Sequence, residues 1–326
     1  MTATTRTKRI LLLGDSFAFR DALRDLPAAV PSPLPVLVIG ETGTGKELVA
    51  RKLHQLGARS ARPFVAQNCA ALPGELFESE LFGHAAGAFT GATTAKPGVF
   101  ESVSGGTLLL DEVAELPLSF QAKLLRVLED KRVRRVGETN ERDVDFRLVC
   151  ATNRALGQEV EEGRFRRDLF YRINAFTLRL PPLRDRPDDI PELARHFIDD
   201  AAGELGVAPP TLSDEALEAL CTWSWPGNVR ELQNVLGRAT ALARDGAIAP
   251  AHLGPVGGRE PEALTLMELR NRFDREVIAR TIASCDGNVA RAARSLGVSR
   301  ATVTGLLKKH GLTGPKRTRT GERSSC

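Results

Sequence analysis

The chain has 326 residues, of which 42% are hydrophobic and 26% charged, as in ordinary soluble globular proteins with one large domain and one or two small ones. No apolar run approaches the ~18 residues of a membrane span, and the N-terminus lacks the apolar core of a secretory signal. Five scattered cysteines without a CxxC pair argue against a zinc site and for reduced thiols, so we expect a cytoplasmic protein without a membrane partner.

Positive charge is concentrated at the C-terminal end of the chain. Residues 286–326 contain nine Lys/Arg and two Asp/Glu, a net charge of +7, whereas the whole chain carries +4. A basic end on a near-neutral body predicts a polyanionic partner, most often nucleic acid. The alternative, a solubilising tail, accounts for residues 316–323 but not for the helical pattern that precedes them.

Strand-like and helix-like segments alternate from residue 36 to residue 180, after a short proline-rich start. Continuous apolar strands that alternate with helices predict a parallel sheet with helices on both faces, an α/β fold. The predicted strands are 36–40, 64–68, 107–111, 146–151 and 176–180.

The pattern then becomes wholly helical to about residue 249, with amphipathic segments at 191–205 and 213–223. A stretch rich in proline and glycine follows and reads as a linker, and a small helical unit comes after it. The predicted organisation is an N-terminal extension at 1–13, an α/β subdomain at 14–180, a helical subdomain at 181–249, a linker at 250–263, a helical domain at 264–312 and a basic tail at 313–326.

A glycine-rich loop follows the first predicted strand and opens a helix, the context that makes a phosphate-binding loop credible. Glycines let backbone N–H groups converge on phosphates, and the helix N-terminus adds positive potential. We expect Lys46 to reach the β- and γ-phosphates of ATP, although Glu47 stands where the generic motif has Ser or Thr for Mg²⁺. The candidate nucleotide-binding residues of this loop are Gly40, Glu41, Thr42, Gly43, Thr44, Gly45, Lys46 and Glu47.

The predicted strand at 107–111 ends in two adjacent acids. Asp111 is expected to hold Mg²⁺ through water, and Glu112 to orient the attacking water as a base. A buried strand alone needs no pair of carboxylates at its end, so loop and acids together predict an ATPase. Asn153, after the next strand, is a candidate for sensing the γ-phosphate or positioning water, and an ordinary strand-end turn is the alternative.

A further segment, ESELFGHAAGAFTGA at 78–92, contains the hexapeptide GAFTGA. Its residues indicate a small glycine-flanked loop with an apolar tip that could make a contact. The alternatives are a loop without a function or a helix interrupted by glycines. Together with the preceding motifs it makes the chain resemble the AAA+ domain of bacterial sigma-54-dependent transcriptional activators from about residue 14 to 249, and more loosely to 312. The hexapeptide consists of Gly87, Ala88, Phe89, Thr90, Gly91 and Ala92.

In that family the hexapeptide forms the loop that contacts sigma-54, which implies that Phe89 and Thr90 make the contact. The family's phosphate-binding loop usually ends in Gly-Lys-Glu, and Glu47 fits this variant. The family commonly has Glu at the position of Ala85, so the resemblance leaves open how the loop of this chain is held.

The resemblance also implies further catalytic residues. Asn68 matches an asparagine that pairs with the catalytic Glu112 and switches its orientation, whereas the residues alone favour a polar strand end. Asn153 matches the family's first sensor of the γ-phosphate.

Three arginines match family positions that act on the phosphates. Arg166 and Arg172 match two arginine fingers, which would reach the nucleotide of a neighbouring subunit, and a solvated basic surface is the alternative. Arg230, in the first turn of a helix opened by WPGN, matches the second sensor and is expected near the γ-phosphate.

The C-terminal unit shows two short helical patterns separated by residues 296–298. This arrangement predicts a helix-turn-helix whose second helix enters a DNA major groove, with a helical dimerisation hairpin as the alternative. It resembles the Fis-type DNA-binding domain found at this position in the family, in which a preceding helix, here about 266–283, forms a dimer contact. The candidate DNA-binding residues are Ser299, Arg300, Thr302, Thr304 and Lys308.

Gly305 stands within the second of these helices, next to Thr304, where family members often have an aromatic–basic pair. A glycine in mid-helix costs about 1 kcal/mol relative to alanine and removes a contact, so we expect an unusual DNA affinity or operator preference.

The function implied is an ATP-driven transcriptional activator that binds upstream enhancer DNA as a dimer. It would form a hexameric ring when active and remodel the sigma-54 RNA polymerase holoenzyme. Ala85 and Gly305 motivate an alternative, a DNA-binding and ATP-binding regulator that has lost remodelling, while a generic AAA+ helicase or loader fits the hexapeptide poorly. Since no receiver domain precedes Gly14, we expect constitutive activity or control by a regulatory protein in trans.

Overall fold

The computed structural model of the protein consists of two compact units, residues 1–257 and 258–326. None of the helices within the described ranges is long and apolar enough to cross a membrane. The structure describes residues 10–71, 74–89, 91–243, 246–254, 278, 281–282, 285 and 288–309.

A five-stranded sheet forms the centre of the first unit. Its strands are β1 (Val36–Ile39), β2 (Phe64–Asn68), β5 (Thr107–Asp111), β8 (Arg147–Thr152) and β9 (Phe176–Arg179). They lie in the order β2-β5-β8-β1-β9, and all neighbours pair in parallel. The parallel sheet is therefore confirmed, and the five predicted strands differ from the observed ones by at most one residue at each end.

Both faces of the sheet are buried, which explains the continuous apolar strands. Side chains alternate between the two faces of a strand. In β1, Leu37 joins the core cluster on one face, while Val36 and Val38 join the cluster on the other. In β5 the same alternation places Leu108 in the first cluster and Leu109 in the second, all of them fully buried.

Helices connect these strands and cover the sheet. The helices of this α/β subdomain are α1 (Phe17–Ala22), α2 (Leu26–Ala29), α3 (Lys46–Leu56), α4 (Gly74–Phe82), α5 (Val99–Ser102), α6 (Leu118–Asp130), α7 (Leu156–Glu161) and α8 (Arg167–Ile173). Two small antiparallel pairs accompany them, β3 (Gly83–His84) with β4 (Lys96–Pro97) and β6 (Arg132–Arg134) with β7 (Glu141–Asp143).

A helical subdomain, called the lid below, follows β9 and has its own core around the fully buried Trp225. The sequence pattern predicted only helices here, but the structure adds a two-residue parallel strand pair, because both partners lie in extended segments between helices. The elements are α9 (Ile190–Leu205), β10 (Thr211–Leu212), α10 (Asp214–Thr222), α11 (Asn228–Leu242), β11 (Ala247–Ile248) and α12 (Pro250–Leu253).

The structure modifies two predicted boundaries. Residues 250–253, assigned to the linker, form α12, and Leu253 is fully buried in the core of the lid. The end of the predicted N-terminal extension also packs on the body, since Leu12 and Leu13 contact core clusters and Lys52 donates a hydrogen bond to the carbonyl of Ile10 at 2.8 Å.

In the second unit, the predicted helix-turn-helix is confirmed by α13 (Val289–Ser295) and α14 (Arg300–Lys309). Apolar side chains of both helices face inward, because Ala292 and Val303 are fully buried and Leu307 is 8% exposed. Most of the predicted helix at 266–283 and all of the tail at 313–326 lie outside the described residues.

A tight glycine contact at the β3–β4 pair generates a stability prediction. A Cβ atom at Gly98 would lie 2.4 Å from backbone atoms of Leu81, Phe82 and Gly83, whereas one at Gly157 meets no atom within 4 Å. Gly98→Ala should lower the free energy of unfolding by about 1–3 kcal/mol, because backbone has to move. Gly157→Ala is the matched control and should stay within about 1 kcal/mol of wild type. Urea denaturation measures both, and equal effects would contradict the prediction.

Candidate nucleotide-binding site

The predicted nucleotide-binding residues meet at the carboxyl edge of the sheet. Because the strands are parallel, the ends of β1, β5 and β8 lie side by side at this edge. They open into a cleft of about 430 Å³. The residues that line it are Thr42, Gly43, Gly45, Lys46, Glu47, Leu48, Arg51, Asn68, Asp111, Glu112, Val229, Arg230 and Gln233.

The loop from Gly40 to Lys46 joins β1 to α3 in the geometry of a phosphate-binding loop. Gly43 and Gly45 have left-handed φ angles of +83° and +102°, which L side chains rarely adopt. The Lys46 side chain is 7% exposed, and its ammonium donates to the carbonyls of Gly40 at 2.9 Å and Glu41 at 3.4 Å. The loop thus holds a cation at its centre, at the N-terminus of α3.

The two acids at the end of β5 face this cation. Glu112 Oε1 lies 3.5 Å from Lys46 Nζ, and Asp111 Oδ1 accepts the backbone N–H of Glu112 at 3.0 Å. Burial, followed by the charge of Glu112, raises the pKa of the Asp111 carboxyl, and Lys46 opposes the shift. Glu112 also has a left-handed φ of +52°, an unfavourable backbone conformation of the kind found at functional sites.

This acid pair suits Mg²⁺. Magnesium is usually bound by one or two carboxylates together with substrate phosphates, and Asp111 and Glu112 lie beside the loop that would hold those phosphates. No cluster of three or more His, Cys, Asp or Glu able to hold a metal occurs among the described residues. Asp111 remains the candidate ligand, with phosphates needed to complete the coordination.

Asn153 and Asn68 differ in whether they contact Glu112. The Asn153 backbone N–H donates to Glu112 Oε2 at 3.2 Å, and its amide nitrogen lies 3.4 Å from the Thr42 hydroxyl, so this residue joins the acid pair to the loop. Asn68 also lines the cleft, but the expected pairing with Glu112 is not present. Asn68 Oδ1 accepts the N–H of Ala70 at 2.8 Å, and Glu112 is held by Lys46 and Asn153.

The lid supplies the opposite wall of the cleft. Arg230 is exposed there, and its backbone N–H donates to the carbonyl of Gly43 at 3.3 Å. Glu41 accepts a bidentate pair of hydrogen bonds from Arg184 at 2.6 and 2.9 Å and one from Asn228 at 3.1 Å. The hydrogen bonds of Arg184 and Asn228 hold the pKa of the Glu41 carboxyl at about 2.

Sequence reasoning did not identify Arg184, Arg186 and Asn228 as site residues. Arg184 and Arg186 belong to LPPLRDR at 180–186, which joins the two subdomains, and Asn228 belongs to WPGNVRELQN, in which the resemblance points only to Arg230. An asparagine directly after Pro-Gly at the start of a helix is the weak sequence signal that could have pointed to Asn228.

Arg166 and Arg172 do not line their own cleft. Arg166 precedes α8 and forms an ion pair with Asp168 at 2.6 Å, while Arg172 lies in the last turn of α8 and donates to the carbonyl of Leu128 at 3.1 Å. Both side chains are exposed. Both arginines are thus placed where another molecule could reach them.

The hexapeptide forms a tight loop after β3. The Gly87 N–H donates to the Ala92 carbonyl at 2.7 Å, and the Ala92 N–H donates to Phe89 at 3.0 Å. Phe89 is 41% exposed at the tip and its ring makes an edge contact with that of His84, with centroids 5.0 Å apart. Gly91 has a left-handed φ of +101° with no atom near its missing side chain, and Thr90 lies outside the described residues.

In the helix-turn-helix, Arg300, Thr302 and Thr304 lie on the exposed face of α14. Ser299 accepts the Thr302 N–H at 3.1 Å, so the hydroxyl of this candidate DNA-binding residue serves as the N-cap of α14. A Cβ atom at Gly305 would meet nothing within 4 Å. The side chain of Lys308 lies outside the described residues.

A phosphate-binding loop, an acid pair on the neighbouring strand and a helical lid over a parallel sheet define a P-loop NTPase of the AAA+ class. Comparison with protein families agrees. A family described as "Sigma-54 interaction domain" matches residues 12–179, one described as "AAA+ ATPase lid domain" matches 184–263, and one described as "Bacterial regulatory protein, Fis family" matches 270–310.

The chain is also similar to individual regulator proteins along most of its length. The chain is 44% identical to the response regulator protein PilR of Pseudomonas aeruginosa over 310 residues, which cover 92% of this chain and 70% of PilR. It is 43% identical to the transcriptional activator HyfR of Escherichia coli, covering 93% of this chain but 48% of HyfR. It is 41% identical to the transcriptional regulator NtrC of Salmonella typhimurium, covering 92% of this chain and 70% of NtrC.

Among solved structures, NtrX from Brucella abortus in complex with ADP superimposes with a TM-score of 0.74 at 34% identity, covering 93% of this chain and 70% of NtrX. Its complex with ATP gives 0.73 at 35% identity, covering 92% and 69%. The chain belongs to the family of sigma-54-dependent transcriptional activators, with an AAA+ ATP-binding domain and a Fis-family DNA-binding helix-turn-helix.

The raised pKa of Asp111 indicates that neutralising this side chain should stabilise the protein. Since the charged carboxylate is disfavoured in the folded chain, Asp111→Asn should raise the Tm of the protein without nucleotide, because the change removes that charge and keeps the oxygen that accepts the Glu112 N–H. ATP hydrolysis should fall by at least about 100-fold, because the metal ligand is lost. Calorimetry and phosphate release measure the two effects. Asp143→Asn, at a side chain that is 87% exposed, should change neither, and a lower Tm for Asp111→Asn would contradict the prediction.

Proposed function

We propose that this protein is a cytoplasmic, ATP-dependent activator that binds upstream DNA and remodels the sigma-54 RNA polymerase holoenzyme. The observation that carries the proposal is the division of its charged groups. The cleft gathers Lys46, Asp111 and Glu112 within one subunit, whereas Arg166 and Arg172 are exposed and lie outside that cleft. A neighbouring subunit in a ring would receive these arginines.

Within the cleft, the chain's own residues supply binding and base chemistry. Lys46 and the loop N–H groups would bind the β- and γ-phosphates, and Glu112 would accept a proton from the attacking water, oriented by the N–H of Asn153. When bound phosphates attract Lys46 away from Glu112, Asn68 would form a hydrogen bond with the Glu112 carboxylate. Bound Mg²⁺, held by Asp111, would neutralise charge on the phosphates.

An apolar pocket of about 80 Å³ adjoins the phosphate-binding loop and suits a nucleobase. It shares Gly45, Leu48 and Val229 with the phosphate cleft, so the two spaces are neighbours. Residues 11–13 provide another wall, which gives backbone groups for recognising an adenine edge. The pocket supports ATP as the nucleotide.

In the proposed cycle, the hexapeptide loop is the part of the protein that acts on sigma-54. Two backbone hydrogen bonds join the start of this loop to the β6–β7 hairpin. The Ala85 N–H donates to the Val136 carbonyl at 2.9 Å, and the Val136 N–H donates to the Gly83 carbonyl at 2.9 Å. Phe89 at the exposed tip, with Thr90 beside it, would contact sigma-54. The helix-turn-helix would hold the complex at upstream DNA through Arg300 and its neighbours on α14, including Lys308.

The trans action of the arginines can be tested by mixing variants. Lys46→Ala inactivates a subunit's own site, and Arg166→Ala or Arg172→Ala removes a finger, so each variant alone should lose at least about 1,000-fold of kcat. An equimolar mixture of Lys46→Ala with Arg166→Ala should recover roughly a quarter of wild-type activity, because a quarter of neighbouring pairs in a ring combine an intact site with an intact finger.

Arg167→Ala, at the adjacent exposed arginine, is the control and should retain wild-type activity. Activity per subunit should also fall on dilution. A mixture that stays inactive, or activity that does not change on dilution, would contradict a shared site.

Contact with sigma-54 can be tested by trapping a complex in the presence of ADP and aluminium fluoride. Wild type should form a nucleotide-dependent complex with purified sigma-54, and Thr90→Ala should reduce it at least about tenfold, because the loop loses its hydroxyl at the contact. Thr94→Ala, the same change four residues later and exposed, should bind as wild type. If wild type hydrolyses ATP but traps no sigma-54, the regulator that has lost remodelling becomes the better account.

A further inference from the structure

Three successive carbonyls of the phosphate-binding loop, those of Thr42, Gly43 and Thr44, are paired with donors from the lid and its connection to the sheet. The Thr42 carbonyl accepts the Asn228 amide at 3.0 Å, and the Gly43 carbonyl accepts the Arg230 backbone N–H at 3.3 Å. The Thr44 carbonyl accepts Arg186 Nη2 at 3.2 Å. Three successive carbonyls thus take their hydrogen bonds from outside the loop.

This pairing bears on phosphate binding because each peptide unit carries its N–H and C=O on opposite sides. A loop whose N–H groups converge on phosphates therefore directs its carbonyls away from them. Carbonyls without partners in a partly buried site would favour other conformations of the loop. The donors from the lid thus stabilise the arrangement in which the N–H groups face the cleft.

The phosphate-binding loop and the lid lie in direct contact, and the donor side chain of Arg186 is held in place. A Cβ atom at Gly43 would lie 2.3 Å from the carbonyl oxygen of Gly227, so the loop and the lid touch backbone to backbone. Arg186 is 2% exposed and stacks on the Phe19 ring with its guanidinium carbon 4.5 Å from the centroid, which fixes the donor to Thr44 in place.

Asn228 is the centre of this contact. It is fully buried and has a left-handed φ of +52°, a conformation that asparagine adopts more readily than other residues with a side chain. Its oxygen accepts the Leu183 N–H at 2.8 Å, and its amide nitrogen donates to Glu41 at 3.1 Å and to the Thr42 carbonyl at 3.0 Å. Every hydrogen-bonding position of this amide group except one oxygen lone pair is used between the lid, the connection and the loop.

We propose that Asn228 is a positioning residue for phosphate binding, which acts by holding the phosphate-binding loop through Thr42 and Glu41. The inference rests on the proposed ATP chemistry and adds to it a role for the lid before any γ-phosphate is present. The lid completes the loop itself, and the Glu41–Arg184 ion pair fastens the same contact from its exposed side. Affinity for a nucleoside diphosphate then depends on lid residues that do not touch the nucleotide.

The test measures ADP binding to the full chain by calorimetry. Asn228→Asp keeps the size of the side chain, removes both donors and places a second carboxylate against Glu41. We expect ADP affinity to fall about 10- to 100-fold. Thr240→Ala, at an equally buried position of the same helix away from the loop, is the control for a loosened lid and should leave ADP affinity unchanged.

A second variant separates positioning from a general loss of structure. In Asn228→Asp/Glu41→Gln the introduced amide can donate to the introduced carboxylate, which restores one hydrogen bond with its direction reversed and removes the repulsion. The double variant should bind ADP at least about fivefold more tightly than Asn228→Asp alone, a coupling that a merely destabilised lid would not show.

Three results would overturn the inference: wild-type ADP affinity in Asn228→Asp, an equal loss in Thr240→Ala, or no recovery in the double variant. A wild-type protein that binds ADP but hydrolyses no ATP would contradict the proposed function alone, since this test reads only binding. A wild-type protein that does not bind ADP would overturn both.

Discussion

A loop that points its N–H groups at an anion has to send its carbonyls elsewhere, and much of this structure follows from that constraint. At one side of the loop, Lys46 satisfies the carbonyls of Gly40 and Glu41 from within. At the other side, the carbonyls of the next three residues are satisfied only by the lid and its connection. Under the proposed function, the lid is therefore part of the phosphate site as well as a cover.

The sheet imposes a second constraint, because it decides which residues can reach that loop. Parallel pairing brings the ends of β1, β5 and β8 to one edge, so that Lys46, Glu112 and Asn153 meet although they are distant in sequence. The cost is electrostatic: Asp111 is buried beside another acid, and its pKa rises as a consequence. The proposed roles of Asp111 as metal ligand and of Glu112 as base require both carboxylates at this edge, which accounts for the unfavourable arrangement.

The sequence predicted the sheet and the principal site because both leave strong local signals. Five continuous apolar segments indicate strands buried on both faces, and the glycine loop and acid pair are short motifs whose chemistry depends on neighbouring residues. The contact of Asn228 with Glu41 leaves no such signal, since the two residues are 187 positions apart and neither residue type is unusual where it stands. The burial of Leu253 was missed for a related reason, because proline and glycine around it resemble a linker.

The pairing of Asn68 with Glu112 is implied by resemblance and stays a prediction, because in this structure each of the two side chains has other partners. A carboxylate can be held by whichever donors are nearest, and here Lys46 at 3.5 Å and the Asn153 N–H at 3.2 Å are the partners. The resemblance identified the residues at the edge of the sheet, but their hydrogen bonds depend on the charges that surround them.

The replacement of the family's glutamate by Ala85 raised the question of what holds the hexapeptide loop. In this structure the answer is mostly backbone: the Ala85 N–H and both backbone groups of Val136 tie the base of the loop to the β6–β7 hairpin, and no side chain at position 85 takes part. Beside them, Arg135 and Glu101 form a bidentate pair at 2.7 Å in which both side chains are at most 16% exposed. A partly buried fork of this kind is stronger and more directional than an exposed ion pair. The loop of this chain is therefore attached through its backbone and needs no carboxylate at position 85.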